Sequence, residues 1–230
     1  MLFGWYFDPT ILIVLPALIF TIWAQVRVNS SFKKYSGMSV HGGLTGARAA
    51  RKILDANGLY DVKIERVRGS MTDHFDPRTN TVRLSETVHD VASVAAVGVA
   101  AHEVGHAIQH AKGYFPIKIR MTIIPVTKIG SMLAMPLFLI GLIFTLPGLL
   151  LFGIVLYSFV TLFQLVTLPV EFNASRRALN TLSGDKMLDG EELRGARAVL
   201  SAAAMTYVAA LATSLLTLLR LLVLANNRRN

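Results

Sequence analysis

Residues 129–168 read IGSMLAMPLFLIGLIFTLPGLLLFGIVLYSFVTLFQLVTL, without one Asp, Glu, Lys, Arg or His. A water-soluble fold has no need of so long an uncharged run, whereas about 20 apolar residues in helix cross the hydrocarbon core of a bilayer. Pro147-Gly148 is a turn signal within it. The run therefore predicts two membrane helices, Ile129–Leu146 and Leu149–Leu168, folded as a tight hairpin.

Two further spans lie outside it. The first runs from Pro9 to about Val26, with Asp8 as a candidate N-cap and Pro9 at the first helical position. Trp5, Tyr6 and Trp23 fit interfacial aromatic belts. The segment lacks a basic leading region, and Gln25 and Arg27 make no small-residue cleavage site, so it reads as a retained anchor. The last span is Ala203 to Ala225, interrupted by Arg220, which reads as a side chain reaching back to the interface. The chain is 53% hydrophobic over its 230 residues, and no internal repeat is visible.

Charge orients these spans. The net charge is +9, with fifteen Lys/Arg from Arg27 to Lys128 and five from Arg176 to Arg197. Four spans put both basic stretches on one side, and the positive-inside rule makes that side cytoplasmic. The segment before the first span has no basic residue, in keeping with this; Arg228 and Arg229 count weakly against it. No aromatic stripe or recognition-helix pattern accompanies the charge, which argues against nucleic acid as a partner. The resulting division is an anchor over 1–26, a polar cytoplasmic unit expected to be catalytic over 27–120, a membrane hairpin over 121–170, a cytoplasmic loop or helix expected to carry a further site residue over 171–202 and a final span with its tail over 203–230. Within the polar unit, Leu44–Ala56 reads as an amphipathic helix stopped by Asn57-Gly58. Val62–Val67 and Thr81–Leu84 read as strands around the turn-forming Asp76–Asn80, and Val91–Ala111 as a buried helix.

That helix carries Ala101-His102-Glu103-Val104-Gly105-His106. Residues four apart share one helical face, so both imidazoles of an H-E-x-x-H segment can reach one tetrahedral zinc ion. Glu103 is offset toward the open position, where a general base would take the proton of a metal-activated water. A structural reading is weak. Gly105 disfavours helix by about 1 kcal/mol relative to Ala, and two His and a Glu on a Val/Ala helix need partners once buried.

Two histidines and a water leave one ligand open. With no cysteine in the chain, it must be a carboxylate or a third histidine. His110 lies on the same face but a full turn further on, and suits a supporting or substrate-contacting place better. Glu171 is the stronger candidate. It is the only acid between Glu103 and Asp185, and the topology returns it to the side of His102 and His106. Asn173, Arg176 and Tyr207 are candidate donors to an oxyanion, while His74 and His89 read as loop or cap histidines. Lys112, Lys118 and Arg120 read as markers of the membrane interface.

His102-Glu103-Val104-Gly105-His106-Ala107-Ile108-Gln109 together with Pro169-Val170-Glu171-Phe172-Asn173-Ala174-Ser175-Arg176-Arg177 resembles the YugP-like family of bacterial neutral zinc metallopeptidases. The likeness extends over nearly the whole chain, and more distantly to the HtpX and CAAX-prenyl-protease gluzincins. It implies a membrane peptidase with one zinc. In those distant relatives the second Glu is followed four residues on by an Asp that steadies a ligating His; here Ser175 stands there, leaving Asp73, Asp76 or Asp90 to serve. Met71–Leu84 resembles the edge strand on which gluzincins align an extended substrate.

The expected fold is mainly α: a multi-span membrane protein of four transmembrane helices with a small α/β gluzincin-like catalytic element. The expected function is zinc-dependent endopeptidase hydrolysis of membrane-associated proteins or peptides, sited in the cell membrane with its active site toward the cytoplasm. The alternative is a zinc-stabilised, non-catalytic membrane adaptor or chaperone.

Overall fold

A computed structural model describes residues 8–227. In chain order the elements are α1 (Ile11–Ser36), a single 3-10 turn (His41–Gly43), α2 (Gly46–Ala56), β1 (Lys63–Val67), β2 (His74–Asp76), β3 (Thr81–Ser85), α3 (Val94–Ala111), α4 (Phe115–Ile143), α5 (Pro147–Gly184) and α6 (Gly190–Asn227). Helices α1, α4, α5 and α6 are long and apolar enough to cross a membrane. They expose Ile19, Ile143, Leu151 and Leu222 on their outer faces. Such faces would aggregate in water and are solvated by lipid. The mainly helical, four-span architecture with a small sheet is the one expected. Trp5, Tyr6, Arg228 and Arg229 lie outside the described residues.

Small residues let the membrane helices touch. At Gly153 an added Cβ would lie 2.9 Å from Ala134 O and Phe138 N, so α4 and α5 meet backbone to backbone. Near its far end α6 is tied to the start of α1: Arg220 Nη2 donates to Asp8 Oδ2 at 2.7 Å and Nε to Thr10 Oγ1 at 3.1 Å. Arg220 thus has a protein partner in addition to the interface expected for it. Asp8 does not cap a helix starting at Pro9; it accepts from Thr10 N and Oγ1, and the helix begins two residues later, at Ile11.

Residues 171–202 are helical except over 185–189. Helix α5 has 38 residues, about 57 Å at 1.5 Å per residue, where a span needs only about 20 residues. It continues past the bilayer because Val170, Ala174, Ala178 and Leu182, one per turn, are all buried against the polar unit. Only residues 185–189 separate it from α6. At the other junctions α1 also runs on, to Ser36, and α4 begins already at Phe115. The divisions between membrane and polar segments therefore fall inside continuous helices, which fix the polar layer rigidly to the span bundle.

That layer is small. Thr45 caps α2 through Arg48 N, and Ser93 caps α3 through Ala96 N at 3.2 Å. The sheet order is β1-β3-β2, with β1 parallel and β2 antiparallel to β3. Val82 and Leu84 of the central strand are buried with Ile53 and Leu54 of α2 and Val97 and Val104 of α3. Strands β1 and β2 are the two edges of the sheet, and β2 packs toward α3.

Candidate metal centre

Helix α3 is buried along most of its length, so its polar residues need partners. His102 and His106 sit one turn apart with ring centroids 4.8 Å apart and planes at 85°. Gly105 lies between them for a steric reason. A Cβ there would stand 2.8 Å from Ala174 O of α5. The missing side chain lets α5 approach until Glu171 and Ser175, on either side of Ala174, reach the two imidazoles.

The hydrogen bonds fix which ring nitrogens face the centre. Gln109 Nε2 donates to Val170 O at 2.8 Å and to Asn173 Oδ1 at 3.0 Å. Its Oε1 is then the atom 3.1 Å from His106 Nδ1, which must carry the proton. The lone pair of His106 Nε2 is therefore directed at Glu171. Arg177 Nε holds Asn173 Oδ1 from the far side at 2.7 Å. Ser175 Oγ lies 3.1 Å from His102 Nδ1, leaving His102 Nε2 also toward Glu171. Ser175 and Gln109 thus do what Asp73, Asp76 or Asp90 was expected to do. Those carboxylates are engaged elsewhere: Asp73 with Ser85, Asp76 with Arg83, and Asp90 with Arg66 and His89.

Glu171 is 2% exposed at its side chain and is shared between two kinds of partner. Arg120 Nη1 donates to Oε1 at 3.0 Å. Oε2 is buried without a hydrogen-bond donor, 3.3 Å from His102 Nε2 and 3.5 Å from His106 Nε2. Burial alone would lower the His106 pKa, but Glu171, Glu103 and Gln109 outweigh it and hold the imidazole above the ordinary histidine value. The pocket calls for a cation. Among the described residues His102, His106 and Glu171 are the one group of three whose ligand atoms, all within 4.8 Å of one another, could hold a metal ion. Ligands about 2.1 Å from a tetrahedral zinc are about 3.4 Å apart, close to both Glu171–His separations. The donor set fits zinc.

Two cavities flank the three ligands. One, of about 250 Å³, is lined by Asp73, His74 and Phe75 along β2, by Glu103 and His106, and by Ile117, Arg120 and Met121 of α4. The other, of about 330 Å³, lies between α1, α3 and α6 and is lined by Val28, Phe32, His102, Glu103 and Thr206. Asp73, Glu103 and Tyr207 line both. Glu103 has neither an ion pair nor a hydrogen bond among the described residues.

The remaining candidates separate. Tyr207 is in the cleft. Asn173 acts at one remove, through Gln109. His110 is exposed at the end of α3 with its ring 5.8 Å from that of Phe75, outside the ligand group. Arg176 lines neither cavity and faces a third one between α5 and α6. His89 pairs with Asp90, as a loop histidine would, whereas His74 lies in β2 at the cleft wall. Arg120 is the main surprise. Its sequence context is that of an interface marker, yet it holds the buried carboxylate. Gln109 and Ser175 also went unassigned, although their spacing gave a signal: Gln109 is one turn beyond His106, and Ser175 one turn beyond Glu171.

A family model described as "Putative neutral zinc metallopeptidase" matches residues 10–226. The chain is 47% identical over 220 residues, 96% of this chain and 98% of the relative, to a Bacillus subtilis (strain 168) protein described as "Putative membrane protease YugP". No solved structure matches.

Proposed function

The chain belongs to the family of neutral zinc metallopeptidases, and from that premise we propose that it is a membrane-embedded endopeptidase cutting membrane-associated proteins or peptides. His102, His106 and Glu171 would hold the ion, and Glu103 would serve as general base. Zinc in such a site acidifies a water and polarises the scissile carbonyl. The rest falls to the chain. Gln109 and Ser175 would hold the two imidazoles with their Nε2 atoms turned toward Glu171, and Arg120 offsets the charge of the second oxygen of Glu171. Glu103 accepts the proton of the attacking water and delivers it to the departing amine. Tyr207, shared by both cavities, is positioned to donate to the carbonyl oxygen as charge develops there.

The observation that carries this reading is Glu103. It is an uncommitted carboxylate next to a metal ligand, lining cavities on both sides of the centre. An adaptor whose zinc is only structural would close the fourth position and has no use for a free base. The two cavities share Asp73, Glu103 and Tyr207 and would together take a peptide past Glu103, with β2 offering it a strand edge. The cleft lies at the membrane surface: Glu171 is about 36 Å along α5 from Pro147, just past a 30 Å hydrocarbon core.

Zinc titration and hydrolysis of a quenched peptide test the assignment. Glu103→Gln should keep zinc and lose about 10²–10⁴-fold in turnover. Glu171→Gln should weaken zinc binding, with excess zinc restoring part of the activity. If Glu171→Gln binds zinc as tightly as the parent, the ligand set is wrong; if Glu103→Gln still turns over, the mechanism is. The cytoplasmic orientation rests on the basic residues. Cysteines placed at Ser36 and Ser183 should resist impermeant thiol reagents in intact cells, and labelling of either reverses the topology.

A further inference from the structure

A third cavity, of about 350 Å³, lies between α5 and α6 and has Ser175 in its lining. Arg176 of α5 and Arg197 of α6 both line it, with Asn180 beside them, and its other end is formed by Phe172, Ala204 and Met205. No carboxylate lines it. The neighbouring arginines are committed within the chain: Arg177 to Asn173 and Arg194 to Glu191. Among the described residues Arg176 and Arg197 have no ion pair and no hydrogen bond. Two arginines lining one cavity without a counter-charge make it positive, and a positive cavity attracts an anion.

The position of the cavity says which anion. On α5, Arg176 is about 12 Å along the axis beyond Leu168, where the uncharged run ends; on α6, Arg197 is about 9 Å before Ala203. The headgroup layer is roughly 5–8 Å deep on each side of the hydrocarbon. Arginine side chains reach back toward it from such positions. Met205, two residues inside the last span, lies at the hydrocarbon edge, and Phe172, about 6 Å beyond Leu168, lies between that edge and Arg176. The cavity is therefore polar at phosphate depth and apolar at acyl-chain depth.

We propose that Arg176 and Arg197 bind the phosphodiester headgroup of one anionic phospholipid, with an acyl chain lying against Phe172 and Met205. Arginine suits this chemistry because its planar fork donates two parallel hydrogen bonds to phosphate oxygens. The site is independent of the peptidase reading and stands whether or not Glu103 is a base.

Native mass spectrometry of the full-length protein, released from phosphatidylcholine nanodiscs containing a minor fraction of phosphatidylglycerol, tests it. One phosphatidylglycerol should be retained per chain. Near a membrane surface each basic side chain is worth roughly a fivefold gain for an anionic lipid, so Arg176→Gln with Arg197→Gln should weaken retention about thirtyfold. Each single variant should lose roughly fivefold, which keeps the test available if the double variant does not fold. Replacing both by Lys keeps the charge and loses the paired hydrogen bonds, so retention should fall between that of the parent and that of the double glutamine variant. Arg194→Gln, one turn from Arg197 but outside the cavity, should change nothing. Undiminished retention in the glutamine variants overturns the proposal. So does an equal loss in Arg194→Gln, which would make the effect one of net charge. Displacement of the lipid by millimolar inorganic phosphate would identify a free-anion site instead, and also sinks it.

Discussion

Replacing Gln109 by Leu isolates the device that aims His106. Gln109 is fully buried and makes three hydrogen bonds. Leu keeps most of the volume and removes all three. Two of the stranded partners are covered: Val170 O retains the i+4 partner that α5 gives it, and Asn173 Oδ1 retains Arg177. Only the His106 Nδ1–H is orphaned, which costs about 1–3 kcal/mol. Loss of such a support typically lowers metal affinity by about 10–100-fold, or about 1.4–2.7 kcal/mol, the same range reached from the other side. Gln109→Glu separates the two jobs. Its carboxylate still accepts from His106 but faces Val170 O and Asn173 Oδ1 with no proton to give. We therefore expect Gln109→Leu to lose zinc affinity with a modest loss of fold stability. Gln109→Glu should lose fold stability while holding zinc nearly as the parent does. A competitive chelator titration reads the first quantity and thermal unfolding in detergent with EDTA the second. Zinc binding by Gln109→Leu within about twofold of the parent would refute the idea that this amide orients the ligand.

Ser175→Ala should weaken zinc by removing the His102 Nδ1 partner, whereas Ser175→Asp should bind at least as tightly as the parent; a chelator titration in which both lose zinc equally would show that the hydroxyl serves only packing. Arg120→Met leaves the buried Glu171 carboxylate without its cation and should destabilise the metal-free protein by about 3 kcal/mol. Because zinc supplies positive charge to the same carboxylate, the deficit should shrink in holo melts, and an equal deficit with and without zinc would contradict the pairing. Gly105→Ala must move α5 by about 0.6 Å to bring the 2.8 Å approach to Ala174 O up to an ordinary contact. Overpacking of about 1–3 kcal/mol is partly offset by about 1 kcal/mol of helix propensity. Zinc affinity should therefore fall more than the melting temperature suggests, and a variant that melts low but binds zinc normally would count against the close-approach argument.

How much of this was written in the chain follows from the range of each signal. The four spans, the α3 helix and its H-E-x-x-H face are local periodicities, and they were legible because hydropathy and helix geometry act over one or a few turns. Glu171 was legible as well, though only because two constraints met: no cysteine in the chain, and an even number of crossings returning the only nearby acid to the same side. The continuation of α5 through Gly184 was carried by Val170, Ala174, Ala178 and Leu182, but the polar and basic residues among them hid the stripe that the polar unit buries. Nothing local marks Arg120 as different from Lys118. It becomes a partner of Glu171 only because α4 and α5 pack side by side with Gly153 at their contact. Likewise Gln109 and Ser175 acquire their roles across an α3–α5 approach that Gly105 permits. The sequence by itself determined the candidate ligand types and the four apolar spans, since side-chain chemistry and hydropathy belong to single residues and short windows. The tertiary structure decided which side chains aim those ligands, because hydrogen bonds extend only about 3 Å and their partners are brought within reach by packing alone.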